Sequence, residues 1–394
     1  MTERERFIAA LTFQQPWPLP FMPGHGREST RAVWREQGMP ADVQDPASFA
    51  LRQLGGAPPP APADPVSPGV DFCMRPQYDE KVLEHRPAPP NSGQPGVLVV
   101  QDWKGNVCEI ADTYDVSYLR SARDFVTRTW LRCPVEQRSD WEKMAWRYDA
   151  DDPARFPDDW LDRCRRLRGR AHPVGVTISG PFWQLREWLG FEGLCMLLID
   201  DPDFARQMIS FWQDFVARML ERMLRDFVPD YVTISEDMAY KQNPMIGPEM
   251  ARAFLLPCWR RWVEICRAAG VPLLHLDSDG YIGSLLPLWI EAGFNWTSPV
   301  EVAAGNDLPA FRKTFGKAMA YSGGVDKRAM ARGGETIHRE MDRLRPVIEA
   351  GGYVPGCDHA VPADVSWPNF LEYCRLLAEA TGHLPVAAQD TAVQ

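Results

Sequence analysis

The sequence predicts an α/β fold, a (β/α)8 barrel, and three observations predict it. Apolar runs of buried-strand type start near residues 174, 231, 271, 295, 318 and 353. Long stretches of helical periodicity follow several of them, over 202–227, 248–269, 335–349 and 367–381. Strand followed by helix, repeated, implies parallel strands joined by right-handed crossovers. The third observation is that chemistry collects at the ends of the runs, where a barrel of this kind carries its active site.

The chain starts with a short amphipathic helix over residues 3–12, with Phe7, Ile8 and Leu11 on one face. A strand over Leu19 to Met22 runs into Gly24-His25-Gly26-Arg27, and a helix carrying Arg31 and Arg35 follows. With strands at the N-terminus added to the six later ones, eight is a plausible count. Residues 55–69 and 86–96 are rich in Pro, Ala and Gly and read as irregular loops, with a short charged segment between them. Val97 to Asp102 and Val107 to Ala111 flank Lys104-Gly105-Asn106, which predicts a β-hairpin. The charged, Trp-rich segment 120–170 is expected to be helical. In the long helix over 202–227, Met208, Trp212, Phe215, Met219, Met223 and Phe227 form one stripe, a core face. Gly270 stops the helix 248–269. The expected organisation is one barrel domain over 1–394, with a Pro-rich insertion and hairpin at about 52–112.

Composition narrows the function. The chain has 394 residues and 45% hydrophobic residues, enough for a substantial core. With 43 basic against 53 acidic residues the net charge is −10, which argues against nucleic-acid binding through phosphates. No apolar run is long enough to span a bilayer, and the charged start Met1-Thr-Glu-Arg-Glu-Arg6 lacks a signal-peptide core. A cytoplasmic location is therefore expected. Nine scattered cysteines without a CxxC pair predict no disulfide framework. Fifteen Trp and 36 Pro suggest a cavity with apolar walls among ordered loops.

The run Val271-Pro-Leu-Leu-His-Leu-Asp-Ser-Asp-Gly280 is the most informative stretch. His275 and Asp277 lie two residues apart, on the same face of an extended strand. Such a pair can share a metal ion or a proton. Alternatively it is a hydrogen-bonded structural pair, and Ser278 or Asp279 caps a helix. His275, Asp277 and Cys357 are acceptable zinc ligands, and three protein ligands leave the open position of a catalytic site. Glu236, at another strand end, is the candidate fourth or labile ligand. His359 reads as a general acid/base or as a rim histidine. Glu301 is either a rim or a substrate contact. Asp326, after Gly323-Gly324, is either a pocket residue or a helix cap. His25 and Arg27 are candidates to bind an anionic group, with Asp279 and Tyr321 as further substrate contacts; a solvated loop is the alternative for the first two. His85, His172, His338 and His383 look peripheral. No P-loop or GxGxxG is present.

His275-x-Asp277 followed by Cys357 resembles the His-x-Cys…Cys zinc motif of the methylcobamide:coenzyme M methyltransferases. More broadly, the chain resembles the uroporphyrinogen decarboxylase superfamily, to which those enzymes belong. The matching features are Arg4-x-Arg6-x3-Ala10-Leu11, His275-x-Asp-x-Asp-Gly280, Gly293 with Pro299-x-Glu301, Gly323-Gly-Val-Asp326 and Gly351-Gly-Tyr-Val-Pro-Gly-Cys357. The resemblance implies a (β/α)8 barrel with its site in the carboxyl-end cleft. It also implies a zinc-dependent methyltransferase moving a methyl group between a small methylated substrate or thiol and a corrinoid, which related systems carry on a partner protein. An oligomer is compatible with this. Two departures stand out. The decarboxylases' Arg-Gln-Ala-Gly-Arg-Tyr loop is here Pro23-Gly-His-Gly-Arg27, and Asp277 replaces a cysteine, making a harder ligand. The alternatives are a metal-free decarboxylase, in which Asp277 or Asp326 holds a pyrrole-like cation and Arg27 a carboxylate, and a non-catalytic barrel that binds a ligand or corrinoid partner.

Overall fold

The computed structural model describes every residue except 63–66, 89, 91–92, 122 and 386–394. Four strands come first: β1 (Lys81–Arg86), β2 (Val97–Gln101), β3 (Val107–Ala111) and β4 (Thr129–Arg132). They form one antiparallel sheet in chain order. The 97–111 hairpin is as expected, with Asp102 holding its turn through Lys104 N and Asn106 N at 2.9 Å each. Two expectations around it are corrected. The charged segment before residue 87 is strand β1, and 120–170 is mixed: strand β4 and helices Arg138–Met144 and Trp160–Arg168. The Trp130-Leu131 pair suits a strand, and its partner lies about twenty residues back on β3, outside any local pattern. The predicted loops at 63–66, 89 and 91–92 lie outside the described residues.

The second sheet is parallel and orders the rest of the chain. Its strands are β5 (Gly175–Ser179), β6 (Tyr231–Ser235), β7 (Leu273–Asp277), β8 (Trp296–Ser298), β9 (Ala320–Val325) and β10 (Tyr353–Cys357), neighbours in chain order. Each of the six predicted strand starts falls within two residues of its observed position. The segment 19–26 runs beside β10 without becoming a regular strand: Cys357 N donates to Pro23 O at 3.3 Å, and Gly26 bridges Val361 in parallel. The expected helix 248–269 is split into Pro248–Phe254 and Leu256–Ala268; Pro257, lacking an N–H, starts the second piece. The helix Pro202–Asp226 packs its Met208, Trp212, Phe215, Met219 and Met223 stripe inward, all buried. A further helix, Pro181–Asp200, kinks at Gly190, whose φ of +75° a side-chain-bearing residue rarely adopts.

Side chains alternate across the strands, so the sheet has a lumen face and a helix face. In register, Thr233, His275 and Trp296 stand side by side, with Ser235, Asp277 and Ser298 one layer nearer the carboxyl ends. At the opposite end, Asp230 is 1% exposed and pairs with Arg4 and Arg170 at 2.7 Å. It also accepts from Val174 N at 2.9 Å, tying the first helix to the barrel floor.

Candidate active site

His275 sits deep in the lumen. Its Nδ1 lies 3.0 Å from Thr233 Oγ1 and its Nε2 2.9 Å from Ser298 Oγ. The ring stacks on Trp296 at 3.9 Å. Burial pushes its pKa down to about 3, so it is neutral. Asp277 accepts from Ser235 Oγ at 2.9 Å. Burial, with the nearby Asp279 and Asp237, pushes its carboxyl up to about 6.

The remaining predicted ligands face elsewhere. Glu236 is fully buried in the helix layer, because it follows lumen-facing Ser235 by one residue. It accepts from Trp183 N at 3.1 Å and Trp259 Nε1 at 2.6 Å, at the start of helix Pro181–Asp200. Cys357 packs beside Gly24, and burial pushes its thiol up to about 12, with Asp358 adding to the effect. Among the described residues, no three His, Cys, Asp or Glu side chains converge to hold a metal ion. Both nitrogens of His275 are already taken by hydroxyls, and Glu236 points away from the lumen. The residues present therefore do not fit the predicted zinc.

A different cluster assembles at the mouth. His359 Nε2 lies 2.9 Å from Asp279 Oδ1, and its Nδ1 lies 3.3 Å from Lys327 Nζ. Lys327 Nζ also lies 3.3 Å from Glu301 Oε1 and 4.0 Å from Asp358 Oδ1. Burial alone would lower the His359 pKa, but the hydrogen bond and charge of Asp279 outweigh it and raise it. Conversely, burial works to raise the Asp279 carboxyl, and His359 with Lys327 and Arg27 hold it below its ordinary value. Asp358 has no exposed side chain and a carboxyl raised by burial; its Oδ2 accepts from Val302 N at 2.9 Å. Glu301 Oε2 accepts from Gly280 N at 3.1 Å. Gly280 is required here: φ is +77°, and a Cβ would lie 2.3 Å from Ala239 O. Val300, β-branched yet at φ +57°, turns the chain from β8 towards Glu301, a strained position of the kind found at functional sites.

The mouth thus brings together His359, Asp279, Glu301 and Asp277 of the predicted residues. It leaves others out. Asp326 caps the helix Lys327–Arg332 through Arg328 N at 2.9 Å and chelates that guanidinium, so its cap reading holds. Tyr321 is wholly buried, with Arg312 over its ring at 5.1 Å, and is a helix-layer residue rather than a substrate contact. His25 is exposed, and its backbone oxygen accepts from Val361 N; among the described residues its side chain has no hydrogen-bond partner. Lys327 and Asp358 were missed in the sequence. Their signals were slight: Lys327 directly follows a strand-end Asp, and Asp358 lies between two singled-out residues.

Beside the mouth lies a cleft of about 1330 Å³. Helix Pro181–Asp200 forms one wall, and the β4 segment of the antiparallel sheet forms the other. Arg186 crosses its inner end, paired with Asp237 at 2.9 Å and lying 4.3 Å over Trp183.

A parallel α/β barrel with a hydrogen-bonded acid–base cluster at the carboxyl ends of its strands defines a barrel enzyme. The family model for uroporphyrinogen decarboxylase (URO-D) matches residues 131–379, and the chain belongs to that family. The fold is accordingly the family's (β/α)8 barrel. No curated protein matches. Among solved structures, a methyltransferase from Methanosarcina mazei is similar at 15% identity and TM-score 0.51, over 96% of this chain and 99% of that one. A B12-independent methionine synthase from Shewanella sp. W3-18-1, in complex with selenomethionine, is similar at 10% identity and TM-score 0.39, over 92% and 94%. At 15% identity the likeness to the Methanosarcina mazei enzyme is one of fold. Among the described residues no helix is long and apolar enough to cross a membrane.

Proposed function

We propose that the protein is a methyltransferase of the URO-D family that takes a methyl group from an oxygen or nitrogen of a small substrate and passes it to a reduced corrinoid, with His359 as general acid. The observation that carries this reading is the Asp279–His359 pair at the barrel mouth. A histidine with a raised pKa is a competent proton donor near neutral pH. The corrinoid, as second substrate, supplies the electron pair for the new bond to carbon. The electron pair of the broken bond stays on the leaving oxygen or nitrogen, which takes the proton of His359. Asp279 orients the imidazole and stabilises its charged form. Lys327, held by Glu301, lies 3.3 Å from the other nitrogen, where it can donate to the neutral ring and favours release of the proton by the charged one. No step is assigned to zinc. The full-length fold likeness to a methyltransferase is compatible with this chemistry.

A second reading, decarboxylation of a carboxylated substrate, is favoured by one observation. Arg27, whose charge reaches Asp279, has no acidic partner within ion-pair distance among the described residues. In that reading His359 protonates the carbanion left by CO₂.

The test is incubation of the purified chain with chemically reduced free cobalamin and a panel of O-methyl and N-methyl compounds, read by corrin absorbance. Methylation with at least one donor, falling about 100-fold or more in His359→Gln, is expected on the usual scale of general acid catalysis. No methylation by any donor, together with CO₂ release from a carboxylated compound, would replace this reading with the second.

A further inference from the structure

The cleft beside the mouth has a chemical character of its own. Its walls carry large aromatic side chains that solvent reaches: Phe125 is 71% exposed, Trp130 41% and Tyr240 56%. Phe191 packs edge-on against Tyr240 at 5.7 Å, holding that ring against the wall. Exposed aromatics gathered on one concave surface are the usual lining of a site for an organic ligand.

The charges are distributed unevenly. Arg128 lies 5.0 Å over the Trp130 ring, and Arg27 lies 5.6 Å over the Phe125 ring at the rim. Arg132 follows on the same β4 segment. Among the described residues none of these three arginines has an acidic partner within ion-pair distance, although ion pairs are abundant elsewhere in this acidic chain. Asp124, whose carboxyl feels the charge of Arg27 without an ion pair, accepts from Ser29 N at 3.0 Å and Ser29 Oγ at 2.9 Å. The opposite wall carries Glu192 and Asp200, its Arg186 being paired with Asp237, while Glu136 lies beyond Arg132 on the arginine side. An anionic group is therefore repelled from the helix wall and attracted to the arginine side. The charge of Arg27 also reaches Asp279, so an anion held there lies on the side of the cleft towards the His359–Asp279 pair.

We infer that this cleft binds an aromatic ring system bearing an anionic group, with the rings against Trp130, Phe125 and Tyr240 and the anion on Arg27. The volume, about 1330 Å³, accommodates more than one ring. This deepens the proposed function by giving its substrate class, and rests on that reading only for the reaction that follows binding. A guanidinium suits the role because it offers a planar fork to a carboxylate and stacks on aromatic faces.

The test is equilibrium binding to the full chain, without corrinoid, followed by tryptophan fluorescence and calorimetry. The probes are 2-naphthoate, its neutral counterpart 2-naphthamide, and cyclohexanecarboxylate. Naphthoate should bind at least about 10-fold more tightly than either of the others, the scale of one charge-assisted hydrogen bond. Arg27→Gln should remove that preference over the amide and leave amide binding unchanged, while Trp130→Ala should weaken both naphthyl probes alike. Equal affinity for acid and amide in the wild-type chain, or an unchanged preference in Arg27→Gln, would overturn the inference. So would loss of the preference in Arg132→Gln but not in Arg27→Gln. None of these readouts needs methyl transfer. A chain that binds naphthoate selectively but methylates no corrinoid would sink the reaction and keep the site.

Discussion

His275 offers the sharpest test of how the lumen works. Its two nitrogens face hydroxyls, and burial holds its pKa near 3 against an ordinary 6.5. In the unfolded chain the imidazole charges as the pH falls through 6.5; in the folded chain it stays neutral. The unfolded state therefore binds more protons, and stability due to this residue is complete above pH 6.5 and lost progressively towards pH 3. At about 1.4 kcal/mol per pH unit, the whole cost is about 5 kcal/mol, of which about 2 kcal/mol falls between pH 6.5 and pH 5. His275→Gln retains a donor and an acceptor for Thr233 and Ser298 but cannot titrate. Urea unfolding of both proteins at pH 7 and pH 5 isolates the term, since every other titrating group is common to them. The wild-type chain should lose about 2 kcal/mol more than the variant on acidification. Equal losses, or an imidazole resonance of His275 that titrates near 6.5, would refute the buried neutral histidine.

Two other outcomes are expected. Asp279→Asn removes the carboxylate that raises His359, so the His359 pKa, measured by NMR of the imidazole, should fall, and the basic limb of the pH–rate profile should move to lower pH with it. An unmoved pKa would mean that Asp279 does not set the acid. On the barrel floor, Asp230→Asn leaves Arg170, whose side chain is 5% exposed, without its bidentate partner. Breaking a buried pair from one side costs about 3–5 kcal/mol, which denaturant unfolding would read directly; a loss below about 1 kcal/mol would show the pair to be replaceable.

What the sequence revealed and what it hid follow from the range of the forces involved. The strands of the parallel sheet are buried runs whose ends are local events, so their positions were legible, as was the turn of the 97–111 hairpin. Strand β4 was not, because Thr129–Arg132 becomes a strand only by pairing with β3. The placement of Glu236 was readable in principle. Strand alternation puts it on the face opposite Ser235, and so opposite Asp277, to which Ser235 is bonded. Grouping it with the metal ligands overlooked that period of two. The Lys327–Glu301–His359 contacts could not be read, since they join the ends of three neighbouring strands, β8, β9 and β10, that lie tens of residues apart in the chain.

The same strand gives a physical reason for assigning the proposed acid–base step to the mouth. His275, Asp277 and Asp279 succeed one another at two-residue steps along the carboxyl end of β7 and just beyond it. His275 is 5% exposed and neutral, and the Asp277 carboxyl is pushed up to about 6. The Asp279 side chain is 52% exposed and its carboxyl is held below its ordinary value. Each step outward returns water and brings cations within reach, so the charged form becomes cheaper. A proton donor must change charge during turnover, and the deep layer penalises that change by several kcal/mol. At the outermost layer, where His359 meets Asp279, the charged imidazole is stabilised, whereas at His275 it is penalised. His275 is therefore a neutral, hydrogen-bonded residue of the lumen, and the imidazole used in the proposed reaction is that of His359, which comes from the end of β10 and meets Asp279 across the barrel.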